Sequence, residues 1–117
     1  MHNLDKPATF IVNAFSLNML ASLNATIKTE ELTFEEVQYW TSNPCQWAIG
    51  HETTSVIVSG LLYPHLGDDP MRANRETVRL LKGDSLIVAQ YVGPRLPEGA
   101  TVLPEGATIK WVRVVID

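Results

Sequence analysis

A chain of 117 residues is sized for one domain spanning residues 1–117, since a domain takes roughly 100–200 residues. Its 45% hydrophobic content is that of an ordinary globular protein, and no apolar run approaches the roughly 20 residues that span a bilayer. The single cysteine, Cys45, excludes a disulfide framework and a cysteine-built zinc site. The net charge of -4 argues against a coat for long DNA or RNA. The charge is uneven, however. Residues 1–70 carry two basic and eight acidic side chains, whereas residues 71–117 carry seven basic and five acidic. A small anionic ligand needs only a few local cations. No basic segment followed by an apolar one opens the chain, so no secretory leader is expected and the composition fits a reducing cytoplasm.

In chain order, residues 8–13 (ATFIVN) are short and β-branched and predict a strand. Ser16 can cap a helical segment over 17–22, and 26–32 alternates as a second strand. Thr33-Phe34-Glu35-Glu36 has the spacing of a capping box, opening a helix that Asn43-Pro44 stops. Residues 45–49 are a short extended piece broken by Gly50, and a helix follows over 53–63. After a loop at 64–70, residues 74–81 alternate as a strand, and Lys82-Gly83-Asp84 signals a hairpin into 85–92, the most apolar strand and the expected sheet centre. LPEGAT occurs twice in a turn-rich stretch, at 96–101 and 103–108, with Pro expected at the second position of a type I turn. A last strand runs over 108–116 with Val112, Val114 and Ile116 on one face. The sum is an α+β (α/β-like) domain: a single mixed sheet of about five strands flanked by helices.

Phosphate-loop, dinucleotide-fold and nucleophile-elbow motifs are absent, and no histidine has a partner at metal-ligand spacing, so neither a metal nor another cofactor is expected. The remaining signal lies in two strand-to-helix turns. Asn13 ends one strand before Ser16-Leu17-Asn18, and Gly50-His51 ends an extended piece before Thr53-Thr54. The first N–H groups of a helix lack internal partners and suit anions. With Arg95 arriving from the end of the central strand, two such turns would make an anion pocket. His51 at a helix start is unusual, because its positive form opposes the dipole. Singly, Ser16, Thr53 and Thr54 read as caps, and Glu98 and Glu105 as turn decoration. His2 and His65 read as passive, and the three tryptophans as core.

Together, VNAFSLNML at 12–20, IGHETT at 49–54, NRETVRL at 74–80 and PRLPEG at 94–99 carry a family resemblance. The chain resembles the viral type III anti-CRISPR ring nucleases and their cellular standalone relatives, over nearly its whole length. The resemblance implies a symmetric homodimer that cleaves cyclic tetra-adenylate without metal into linear di-adenylates with cyclic phosphate ends. It places the catalytic histidine on His51 and the accompanying arginine and glutamate on Arg95 and Glu98. Ligand contacts fall on Asn13, Ser16, Leu17, Asn18, Gly50, Thr53, Thr54 and Arg75. The stretch after Glu98 departs from the pattern: it is short and carries the duplicated LPEGAT, which sets Glu98 against Glu105. The alternative function is a module that binds or sequesters a cyclic oligonucleotide without cutting it. No membrane contact and no long nucleic acid is expected.

Overall fold

The computed structural model describes residues 7–117; His2 therefore lies outside the described residues. Five strands form one mixed sheet: β1 (Thr9–Val12), β2 (Ile27–Leu32), β3 (Gln46–Trp47), β4 (Ser85–Val92) and β5 (Thr108–Ile116), in the order β2-β5-β4-β1-β3. β1 pairs in parallel with both β3 and β4, while β5 runs antiparallel between β4 and β2. The α+β architecture expected from the sequence is observed, with β4 in the centre.

Strand alternation divides the core in two. Ile11, Ile87, Ala89 and Trp111 face the helices α1 (Phe34–Thr41) and α2 (Glu52–Leu62), packing with Val37 and Val58. Phe10, Val12, Leu86, Val88, Val114 and Ile116 face the other way, under Val78, Leu80, Met19 and Leu20. The capping box forms in full: Thr33 N–H donates to Glu36 Oε1 at 2.9 Å, and Glu36 N–H to Thr33 Oγ1 at 3.2 Å. Trp47 and Trp111 are buried, and Trp40 supports the Arg113 guanidinium 4.1 Å from its ring centre.

Three local expectations are corrected. Residues 74–81 do not form a strand; only Leu80 bridges, to Leu20. Their alternation is real, since Val78 and Leu80 are buried. But β1 already has a neighbour on each side, so the segment crosses the sheet face instead of joining an edge. The chain leading into it is held by two helix serines and one backbone bond. Ser55 Oγ donates to the Met71 carbonyl at 2.6 Å, Met71 N–H donates to Ser59 Oγ at 2.8 Å, and Asn74 N–H donates to the Ile49 carbonyl at 2.8 Å. Lys82-Gly83 is accordingly a turn into β4 and not a hairpin.

The helix expected at 17–22 shrinks to one 3₁₀ turn, Leu17–Met19, capped by Ser16 Oγ accepting from Asn18 N–H. Its chain is drawn away by Leu20 and Ala21, which pair with Leu80. The two LPEGAT turns close one residue later than expected: Ala100 N–H donates to the Pro97 carbonyl and Ala107 N–H to that of Pro104. Pro is thus the first residue of each turn, and Gly99 and Gly106 take φ of 81° at the third, the backbone of a type II turn.

Candidate active site

The parallel strands β1, β3 and β4 all end at the same side of the sheet, where open α/β sheets place their ligand crevices. Asn13 follows β1, Gly50-His51 follows β3, and the loop carrying Arg95 and Glu98 follows β4. A cleft of about 1220 Å³ opens there, lined by His51, Thr53, Arg75, Arg95 and Glu98 among others. That volume exceeds the roughly 300–1,000 Å³ typical of small-molecule sites.

His51 is the N-cap of α2, which starts at Glu52, one residue earlier than the sequence predicts. Its Nδ1 accepts from the Thr54 N–H at 3.3 Å and lies 3.1 Å from Thr54 Oγ1. A backbone amide only donates, so Nδ1 is bare in this arrangement and the proton of the neutral ring sits on Nε2. The helix thereby fixes the tautomer. The imidazole itself is exposed at the cleft wall.

The peptide before His51 is clamped from both sides. Gly50 N–H donates to Asn13 Oδ1 at 3.1 Å, and the Gly50 carbonyl accepts from Arg75 Nε at 2.9 Å. Asn13 and Gly50 are therefore parts of the frame beneath His51 and not of the cleft lining. Arg75 spends one guanidinium nitrogen on this clamp while its side chain lines the cleft. Thr54 is buried behind His51.

The opposite wall is the 94–101 loop. Tyr91 Oη donates to the Pro94 carbonyl at 2.6 Å and fixes its start, and Leu103 packs into the helix-side core beyond it. Glu98 lines the cleft and Glu105 does not, so the second repeat copy stands outside the site. Ser16, Leu17 and Asn18 also lie outside the lining, and Leu17 is 59% exposed. His65 rests edge-on against Tyr63 and is no part of the cleft.

Sequence reasoning missed Glu52, Asp68 and Arg72, which also line the cleft. Glu52 anchors the 71–75 segment: Oε1 accepts from Ala73 N–H at 2.9 Å, and Oε2 pairs with Arg72 at 3.3 Å. An acid in the first turn of a helix was legible in IGHETT, but its partner 20 residues later was not. With Glu52 and Arg72 paired, the cleft presents Arg75, Arg95 and His51 as donors, and Asp68 and Glu98 as acceptors. Such a set suits a ligand with both phosphates and hydrogen-bonding sugars or bases.

The fold and site define a small mixed-sheet domain with a cationic-and-acidic cleft outside the carboxyl ends of its parallel strands. Residues 9–108 match the family described as STIV B116-like, and the chain belongs to that family. Among solved structures it is similar to B116 of Sulfolobus turreted icosahedral virus, with a TM-score of 0.70 and 27% identity, covering 92% of this chain and 98% of that one. No curated protein matches. Among the described residues no helix is long and apolar enough to cross a membrane.

Proposed function

We propose that this protein is a metal-independent ring nuclease that cuts cyclic tetra-adenylate into linear di-adenylates ending in 2′,3′-cyclic phosphates, and so switches off type III CRISPR signalling. The observation that carries the reading is the cleft in which an imidazole of fixed tautomer shares one space with Arg75, Arg95 and Glu98.

RNA supplies its own nucleophile. The 2′-oxygen attacks the adjacent phosphorus, its proton passes to a base, the bond to the 5′-oxygen breaks, and that oxygen takes up a proton. The protein's task is alignment, charge stabilisation and proton delivery. Arg95 and the free part of the Arg75 guanidinium hold the phosphate oxygens. His51 delivers the proton from Nε2. To do so its ring carries protons on both nitrogens, and Thr54 Oγ1 at 3.1 Å can accept the one on Nδ1. Glu98 takes the 2′-hydroxyl proton or orients Arg95. A two-fold dimer would set two such clefts on opposite phosphates of one ring.

The test is incubation of the purified protein with cyclic tri-, tetra- and hexa-adenylate in the presence of a chelator, followed by product analysis. Linear di-adenylates from the tetramer ring are expected. His51→Ala should keep ring binding and lose about 10²–10⁴-fold in rate. Undiminished cleavage by that variant removes His51 from the mechanism, and binding without any product reduces the protein to a sequestering module.

A further inference from the structure

The cleft follows one face of α2. Thr53, Val56 and Gly60, three and four residues apart, all line it, as does the N-cap His51. From His51 to Gly60 the helix rises about 13 Å, at about 1.5 Å per residue. The chain then returns beside the helix: Met71 is bonded to Ser59 and Ser55, and Ala73 to Glu52. The cleft therefore has two ends. His51 and Arg75 stand at one, and Gly60, Asp68 and Pro70 at the other.

Gly60 is the residue of this face that the fold does not explain. A glycine within a helix is less favourable than an alanine, and its uses are a positive φ or a close approach to the backbone. Gly60 has no positive φ, and a Cβ built on it would meet nothing within 4 Å. No neighbour among the described residues requires the missing side chain. The bare backbone opens onto the cleft.

Asp68 stands at the same end. Among the described residues no hydrogen bond or ion pair engages it, whereas Glu52 is paired with Arg72. An ionised carboxylate only accepts hydrogen bonds, and it repels phosphate. It therefore orders a nucleotide in the cleft, with the phosphate toward His51 and Arg75 and an N–H donor toward Asp68.

We propose that this end of the cleft seats a nucleobase: the ring lies against the bare backbone of Gly60 beside Val56, and Asp68 accepts from the exocyclic amino group of adenine. Adenine carries a donor at the position where guanine carries an acceptor, so a carboxylate there selects the first and rejects the second. A nucleotide extended along α2 with its phosphate at Arg75 carries its base toward Gly60. This assignment rests on the ring chemistry proposed above and adds to it the residues by which each cleft reads the base beside the phosphate it cuts.

The experiment compares two rings for binding to the full chain, and for cleavage in the presence of a chelator. One is cyclic tetra-adenylate; the other is the same ring built from purine riboside, which lacks only the 6-amino groups. A hydrogen bond to a charged acceptor should favour the adenine ring at least about tenfold. Asp68→Ala should bring the two rings within about threefold of each other, while Asp69→Ala, at the neighbour outside the cleft lining, should keep the preference. Gly60→Ala should raise the melting temperature by a few degrees, because the helix gains and nothing is crowded. Gly60→Leu should stay folded and weaken binding of both rings at least about tenfold. A parent protein that binds both rings alike, or an Asp68→Ala protein that keeps the full preference, overturns the base reader and leaves the ring nuclease standing. Gly60→Leu binding as the parent does, or a lowered melting temperature for Gly60→Ala, overturns the seat at Gly60. Failure of the parent to bind either ring overturns the ring-nuclease reading itself, and this assignment with it.

Discussion

Thr54 offers the Nδ1 of His51 two groups of opposite capability: a backbone N–H at 3.3 Å that only donates, and a hydroxyl oxygen at 3.1 Å that can also accept. The ring is held in either protonation state, by the amide when neutral and by the hydroxyl when charged. Positive charge at a helix N-terminus opposes the dipole, so the hydroxyl is what makes an acid role compatible with the cap.

Thr54→Val tests this. The amide cap survives and the outline is kept, while the lost side-chain hydrogen bond should cost about 0.5–1.5 kcal/mol of stability. The charged ring alone loses its acceptor. The cleavage rate constant should therefore fall at least about tenfold while ring affinity stays within about threefold. Single-turnover cleavage and ring-binding assays measure it, and an unchanged rate would show that the Nδ1 proton does not go to Thr54.

The clamp on Gly50 yields a second expectation. Asn13 accepts from Gly50 N–H and does not line the cleft, so Asn13→Ala should disturb the placement of His51 more than the grip on the ring. Leaving the amide without an acceptor costs about 1–3 kcal/mol of stability. The rate constant for ring cleavage should drop at least tenfold while ring affinity stays within about threefold. Equal losses in both would make Asn13 a ligand contact, the role the family resemblance implied for it.

The repeated LPEGAT supplies an internal control. Glu98 and Glu105 occupy equivalent turns, each closed by a hydrogen bond from the following alanine to proline, but only Glu98 faces the cleft. Glu98→Gln should impair ring cleavage by about 10-fold or more, and Glu105→Gln by less than twofold. Both substitutions should leave the melting temperature in place, since both side chains are exposed.

Much of this arrangement is legible in the sequence because its causes are local. The capping box at Thr33 needs only neighbours three residues apart, and the apolar run of β4 predicts its burial. His51, Arg95 and Glu98 were placed in the sequence by motif, and the folded chain brings them to one cleft. What escaped was set by distant partners. The alternation at Val78 and Leu80 reports a buried face but not whether a strand edge is open to receive it. Ser16 has the chemistry of a helix cap, but the Leu20–Leu80 bridge ends the helix after one turn. Arg75 and Asn13 read as ligand contacts because nothing in their spacing reveals that both meet at Gly50.

The mouth of the site depends on a close approach at the base of the 94–101 wall. Gly93, with φ of 152°, sits against Ala107, and a Cβ on Gly93 would lie 2.7 Å from the Ala107 Cα. That atom is backbone, so it cannot swing aside. Gly93→Ala therefore forces apart the two chain segments that begin and end the loop carrying Arg95 and Glu98. Overpacking of this kind costs about 1–3 kcal/mol, and the unfavourable φ adds to it. The melting temperature should fall by several degrees, and ring cleavage should fall further than stability accounts for, because the wall moves relative to His51. Thermal denaturation and cleavage assays well below the melting point separate the two effects. A variant as stable and active as the parent would show that the loop tolerates displacement and that Arg95 and Glu98 need no fixed place opposite the imidazole.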